Sequence, residues 1–532
     1  MFGRRPHVTS VRGVVATAHP LASQAGARML LTGGNAFDAI VAAAAALNIV
    51  EPQLSGLAGM GMATFHAARE RRVRTLDFVT RVPGGLRSLS LTRPELYVGP
   101  KGIGAPGNLA GWCALLEQYG TKSRADVFQP ALELARDGFP LTEGGAHLIA
   151  SGIEQLRSFP TWAQIFTDNG AAPRPGWVLR QPDLARTYEA IIADGPAHLY
   201  HGALGHAMTA HVRALGGCLH MDDLTAVTPQ WLDPLAVAYR DLLVHTLPPP
   251  CEGFQMLLSL RILDGLDIAR LTPNDVEHLD ATIRAVRLAA EIRIRYNNSP
   301  LDVIQDLLAE AHVARLRERL REPAPITGRS EQWGDPLPPG TLPPAGRDHT
   351  TSLSAADGLG NLVCVTQSLG GGFGSGVTIP GHGVVMNDFL YWGDTNPASP
   401  NFMYPNGPLA LPMAPTISTR RGEPVLALGT PGSYGILQTQ VQAMLQHVDV
   451  GLDLQAAIEA PRVRVLDGAS VVVEARIPEA TIDALRARGH EATAGEAYTM
   501  MVGGMQGATR DLATGALTAA ADPRRDGYAI GI

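Results

Sequence analysis

Thr350 stands at a junction that can give it chemistry. It follows Ser330–His349, where Pro336, Pro338, Pro339, Pro343 and Pro344 fall among glycines and small polar residues. That composition continues neither a helix nor a central strand, and reads as an exposed, flexible linker. After it, Thr350–Ala356 alternates, Asp357-Gly358-Leu359-Gly360-Asn361 reads as a turn, and Leu362–Gln367 is apolar. The pattern predicts a β-hairpin whose first residue is Thr350. A threonine hydroxyl is a weak nucleophile and needs a base. If the bond after His349 breaks, the α-amino group of Thr350, with a pKa of roughly 7.7–8, can be that base. While the chain is intact, Thr350 Oγ1 can itself attack the His349 carbonyl and form an ester that water resolves. Taken alone, a Thr-Thr pair after a loop is also ordinary strand sequence.

The elements that must hold this hairpin are legible on both sides of it. Asn35 is a plausible N-cap, Asp38 falls in the first turn, and an Ala-rich run to Val50 predicts a buried, closely packed helix that Glu51-Pro52 stops. Leu54-Ser55-Gly56-Leu57-Ala58-Gly59-Met60-Gly61-Met62 leads into an apolar strand, its glycines permitting close backbone approach. Helical periods with charge pairs run from Asp126 to Gly138 and from Asn274 to Leu320. Beyond the hairpin, turn-rich strands reach about Leu428, helices occupy about Ile436–Ala460, and strand–helix–strand sequence reaches Ile532.

Bulk properties narrow the function. A chain of 532 residues exceeds one ordinary core. With 45% hydrophobic and 17% charged residues it reads as a globular enzyme. A net charge of −7 without long Lys/Arg runs argues against nucleic acid or an anionic membrane surface as partner and leaves a small molecule. Cys113, Cys218, Cys251 and Cys364 lack CxxC spacing, so neither a disulfide framework nor a zinc site is expected. No strong signal segment is read at the N-terminus, and the expected compartment is the cytoplasm. The Gly370–Gly376 run does not open a helix, as a phosphate loop would, and HExxH and GxSxG motifs are missing, so no cofactor or metal is expected.

Three stretches resemble the γ-glutamyltranspeptidase family. The first is Gly33-Gly34-Asn35-Ala36-Phe37-Asp38-Ala39 with Val50-Glu51-Pro52 and Ser55-Gly56. The second is Thr350-Thr351-Ser352-Leu353-Ser354 through Asp357, Gly360-Asn361 and Thr366-Gln367-Ser368-Leu369 to Phe373-Gly374-Ser375-Gly376. The third is Pro415-Thr416 with Gly429-Thr430-Pro431-Gly432. Weaker echoes are Gly104-Ala105-Pro106-Gly107, Pro248-Pro249-Pro250 and Asp522-Pro523-Arg524. The resemblance implies an α/β, four-layer αββα N-terminal-nucleophile hydrolase fold, with antiparallel sheets sandwiched by helices. It also implies one precursor that splits into a large subunit, 1–349, and a small subunit, 350–532, which remain partners. Thr350 would form the acyl-enzyme, the backbone of Gly432-Ser433 would hold the oxyanion, and Ser368 would orient the nucleophile.

The departures from that family concern substrate. An Arg-Glu pair expected after Leu76-Asp77-Phe78 is replaced by Val79-Thr80, with Arg81 two positions on. Positions that carry polar residues in the family are Gly370, Phe389, Trp392, Leu411 and Pro412 here. Arg81, Thr351, Phe389 and Trp392 are therefore the expected substrate-binding residues. The expected activity is amide hydrolysis on a donor other than a standard γ-glutamyl group, with water or an amine taking the acyl. Two alternatives stand beside it: a γ-glutamyl hydrolase or transferase with altered contacts, and an inactive binding protein that kept the fold.

Overall fold

The computed structural model describes residues 5–322, 324–331 and 349–532. Two seven-stranded sheets, each antiparallel throughout, lie face to face. One runs in the order Tyr528–Gly531, Gly13–Thr17, Thr351–Asp357, Leu362–Ser368, Met60–Ala67, Arg72–Phe78, Gln230–Leu232. The other runs Val8–Ser10, Leu517–Ala521, Gln506–Arg510, Glu423–Gly429, Thr416–Arg420, Leu242–Thr246, Leu235–Tyr239. The hairpin is the centre of the first sheet. Thr351 pairs with Gln367 and Ala356 with Leu362, while Leu353 also pairs with Thr17 and Ser368 with Met60. A strand segment from after His349 is thus inserted between two strands from before it.

The period of two in the hairpin separates its two faces. Leu353, Ala355, Val363 and Val365 join an outer core built with the helices Pro20–Leu31, Ala36–Val50, Asn108–Tyr119 and Arg124–Asp137. Ala356, Leu362 and Cys364 face the second sheet and pack with Ile417, Ala427, Ala508 and Ala519. The second sheet's outer face is covered by Phe254–Asp264, Val276–Tyr296 and Ile436–Met444. Helix, sheet, sheet and helix therefore form four layers around three cores.

The helix Ala36–Val50 is capped as its sequence predicts. Asn35 Oδ1 accepts from the Phe37 and Asp38 amides (2.9 and 3.1 Å), and Asp38 Oδ2 accepts from the Asn35 amide (2.8 Å). All fifteen of its residues are buried. Small side chains make that possible: a Cβ on Gly26 would lie 2.9 Å from the Ala39 carbonyl, so the neighbouring helix packs at backbone distance. Gly59 plays the same part in the loop before strand Met60–Ala67, where a Cβ would collide with the Ser368 carbonyl.

The linker expected to be exposed and flexible falls largely on 332–348, outside the described residues. Its described ends are buried: Ser330, Glu331 and His349 are 1%, 3% and 7% exposed. The Asp467 carboxylate holds the Ser330 and Glu331 amides (2.7 and 3.0 Å), which anchors the chain where it enters the linker. The Gly370–Gly376 run forms turns that open no helix, followed by the short pair Thr378–Ile379 and Val384–Val385.

Candidate active site at the start of the central hairpin

Thr350 and the bond before it are buried together. Thr350 is 4% exposed, and its hydroxyl donates to the His349 carbonyl oxygen at 2.8 Å. Ser368, at the end of the partner strand, donates to the same carbonyl oxygen at 2.7 Å and lies 3.2 Å from Thr350 Oγ1. The antiparallel register explains the meeting, since the pair Thr351↔Gln367 sets the flanking residues side by side. The Gly370 amide donates to Ser368 Oγ (2.9 Å), which leaves the Ser368 proton for the carbonyl. Two hydroxyls, those of Thr350 and Ser368, thus converge on the carbonyl oxygen of His349 in the intact chain.

The next shell was not singled out from sequence as functional. Thr351, expected to touch substrate, instead donates to Glu51 Oε2 at 2.9 Å. Burial pushes the Glu51 carboxyl up to about 7, opposed by the Arg525 charge and the Thr351 hydrogen bond. Arg525 Nη1 donates to the Thr350 carbonyl at 2.7 Å. The first two residues of the hairpin are therefore held by a carboxyl and a guanidinium. Asp388 is buried beneath the Gly370-Gly371 turn, where it accepts from the Gly371 amide (2.7 Å), and burial raises its carboxyl to about 8. Signals for two of these existed: Glu51 lies inside a motif stretch, and Arg525 follows Asp522-Pro523-Arg524.

A narrow cleft leads to Thr350. It is lined by Thr350, Ser368, Phe389, Trp392, Leu411, Pro412, Met413, Ser433 and Ile436. Four positions at which the family pattern is polar, Phe389, Trp392, Leu411 and Pro412, therefore meet at one wall. Phe389 and Trp392 stand on a short 3₁₀ turn, Phe389–Trp392, instead of a strand. Asp388, just before them, is left with the amide of Gly371, and the turn carries both rings into the apolar cluster with Leu411, Met413 and Tyr434.

Ser433 lines the cleft at the start of a 3₁₀ turn, with Gly432 immediately before it. Gly432 has φ +125°, a conformation open to glycine. Ser433 has φ +55°, inside the small left-handed region that a residue with a Cβ can occupy. Arg464 holds this turn by donating to the Gly432 carbonyl (2.9 Å), and it pairs with Glu331 Oε1 (2.5 Å) at the entry to the linker.

Arg81 is not part of this assembly. It is exposed and lines another cleft, with Phe78, Val79, Val82, Asp223 and Asn406, none of which lines the Thr350 cleft. Among the described residues no group of three or more His, Cys, Asp or Glu side chains could hold a metal ion. No described helix is long and apolar enough to cross a membrane.

This αββα sandwich is the N-terminal-nucleophile hydrolase fold. The chain belongs to the γ-glutamyltranspeptidase family, whose model matches residues 22–532. It is 33% identical to the Acylase ACY 1 proenzyme of Pseudomonas sp. (strain V22), over 98% of this chain and 94% of that protein. It is 30% identical to the glutathione hydrolase proenzyme of Bacillus subtilis (strain 168), over 98% and 91%. The cephalosporin acylase from Bacillus halodurans superposes with a TM-score of 0.89 at 29% identity, covering 100% of this chain and 97% of that one. The protein is thus an amidohydrolase of the acylase and glutathione-hydrolase kind, and its relatives are named as proenzymes.

Proposed function

We propose that this chain cuts itself between His349 and Thr350 and then uses Thr350 as the nucleophile of an acylase for a small, uncharged acyl group. In the first step Thr350 Oγ1 attacks the His349 carbonyl carbon, the C–N bond breaks, and water hydrolyses the resulting ester, leaving a His349 carboxylate and a free Thr350 amine. In the second, that amine takes the Thr350 hydroxyl proton as Oγ1 attacks the amide substrate. The leaving amine departs protonated, and water or a second amine releases the acyl group. Ser368 orients the hydroxyl, and the Gly432-Ser433 backbone stabilises the oxyanion.

The observation that carries the substrate reading is the lining of the cleft. A γ-glutamyl group would bring an ammonium and a carboxylate to a wall of Phe389, Trp392, Leu411, Pro412, Met413 and Ile436. Hydrogen bonds to charged groups contribute about 1.5–3 kcal/mol each, and this wall supplies no such partners. The test compares matured enzyme on chromogenic anilides: phenylacetyl anilide should exceed γ-glutamyl anilide in kcat/KM by at least about tenfold, the worth of burying one ring. Efficient γ-glutamyl turnover with no gain on any apolar acyl group would overturn the reading.

A further inference from the structure

Ser433 has a strained backbone and an unsatisfied side chain in the same place. Among the described residues, Phe373 and Ser433 are the fully buried non-glycine residues with positive φ. Phe373 is held there by its ring, which packs against Trp162 and Phe166 (centroids 5.1 and 4.8 Å). Ser433 has no such anchor. Its hydroxyl is buried without a hydrogen-bond partner among the described residues, and the residue lines the cleft beside Thr350 and Ser368. Glycine would relieve the backbone and remove the orphan hydroxyl at once, so the serine costs stability twice. Backbone strain and an unpaired buried polar group persist where they serve function.

The remaining cleft wall is almost wholly apolar, so this hydroxyl is a lone polar point on it beside Thr350 and Ser368. The Ser433 hydroxyl and amide hang from one Cα. If the amide meets the reacting carbonyl oxygen, the hydroxyl reaches an atom only one or two bonds further along the acyl group. We propose that Ser433 Oγ is a specificity group, donating a hydrogen bond to an ether or hydroxyl oxygen carried on the α-carbon of the acyl chain. The inference rests on the proposed use of this cleft as the acyl site, and it narrows the substrate to an apolar acyl group with one oxygen next to the carbonyl.

The test uses a matched pair of anilides, phenoxyacetyl and 3-phenylpropanoyl, which differ by an oxygen in place of a methylene. The oxygen also activates the carbonyl chemically, so the quantity read is the change in the kcat/KM ratio on mutation. In Ser433→Ala and Ser433→Gly the phenoxyacetyl value should fall about three- to tenfold further than the 3-phenylpropanoyl value, the factor that one neutral hydrogen bond provides. Ser433→Gly suits the native φ, so its melting temperature should equal or exceed that of the wild type, which separates loss of recognition from loss of fold. An unchanged ratio, or equal losses on both substrates, would overturn the proposal. Wild-type enzyme that cleaves γ-glutamyl anilide and neither aryl substrate would instead reject the apolar acyl site itself, and this inference with it.

Discussion

Removing the Ser368 hydroxyl should arrest maturation without unfolding the protein. Its Oγ donates to the His349 carbonyl oxygen at 2.7 Å, the oxygen that would gain negative charge in the proposed attack by Thr350. Losing one such donor costs about 2.7–4 kcal/mol of transition-state stabilisation, so Ser368→Ala should self-cleave about 10²–10³ times more slowly. The ground state loses less. The Gly370 amide forfeits its acceptor at 2.9 Å and the His349 carbonyl one of its two hydroxyl donors, each worth about 1 kcal/mol against a typical total of about 5–15. The assay follows purified precursor with time on a denaturing gel, as the 56.3 kDa chain gives way to fragments of roughly 37 and 19 kDa in proportion to length. Circular dichroism on the same samples checks the fold, and Ser368→Thr, which keeps a hydroxyl, should retain most of the rate. Ser368→Ala maturing within about threefold of wild type, with its fold intact, would refute the assignment of this hydroxyl to the scissile carbonyl.

Thr350→Ala should remain one full-length, inactive chain and Thr350→Ser should cleave slowly; mass spectrometry finding a His349 terminus in the alanine variant would contradict self-attack. Glu51 titrates at about 7 when folded against a usual 4.5, so the native state binds more protons than the unfolded chain between those values and stability falls as pH rises across that window. Glu51→Gln, compared with its parent by urea unfolding in the uncleaved Thr350→Ala background, should gain relative stability from pH 4.5 to 7, by at most about 3 kcal/mol, and a pH-independent difference would show that the carboxyl is ionised throughout. Arg81→Ala should change kcat/KM on apolar anilides by less than about threefold, since Arg81 is exposed in a separate cleft; a hundredfold loss would place it at the acyl site. Gly432→Ala should slow turnover sharply while Ser433→Ala need not, because φ +125° excludes a Cβ and φ +55° does not; equal tolerance in steady-state assays would count against the turn geometry.

What could be read from the residues alone divides along physical lines. The capped, Ala-rich helix Ala36–Val50 and the hairpin opened by Thr350 are local patterns, in which cap chemistry and alternation determine structure within a few residues. The cleft wall was legible only through resemblance, since nothing in the spacing of Phe389, Trp392, Leu411 and Pro412 says that they converge. Arg81 lines a different cleft from Thr350, since closeness in sequence to a substituted position says nothing about which cleft a side chain enters. Thr351 was expected among the substrate-binding residues, and strand alternation turns it to the face opposite Thr350, toward Glu51. Glu51 and Arg525 are separated by almost the whole chain, and their meeting at the hairpin depends on the sheet order, which no single-chain pattern encodes.

The insertion of strand Thr351–Asp357 between Gly13–Thr17 and Leu362–Ser368, with Met60–Ala67 beyond, would make the proposed cut after His349 a solitary event. The two products of that cut would already be woven into one sheet, so no encounter between them would be needed. Maturation should be first order, with a half-time that does not depend on protein concentration. The same weave leaves no equilibrium pool of separated pieces, so diluting the finished enzyme cannot switch it off. Parting the products would require unfolding the cores that both share, which ties the lifetime of the active enzyme to the stability of the whole fold rather than to an interface affinity.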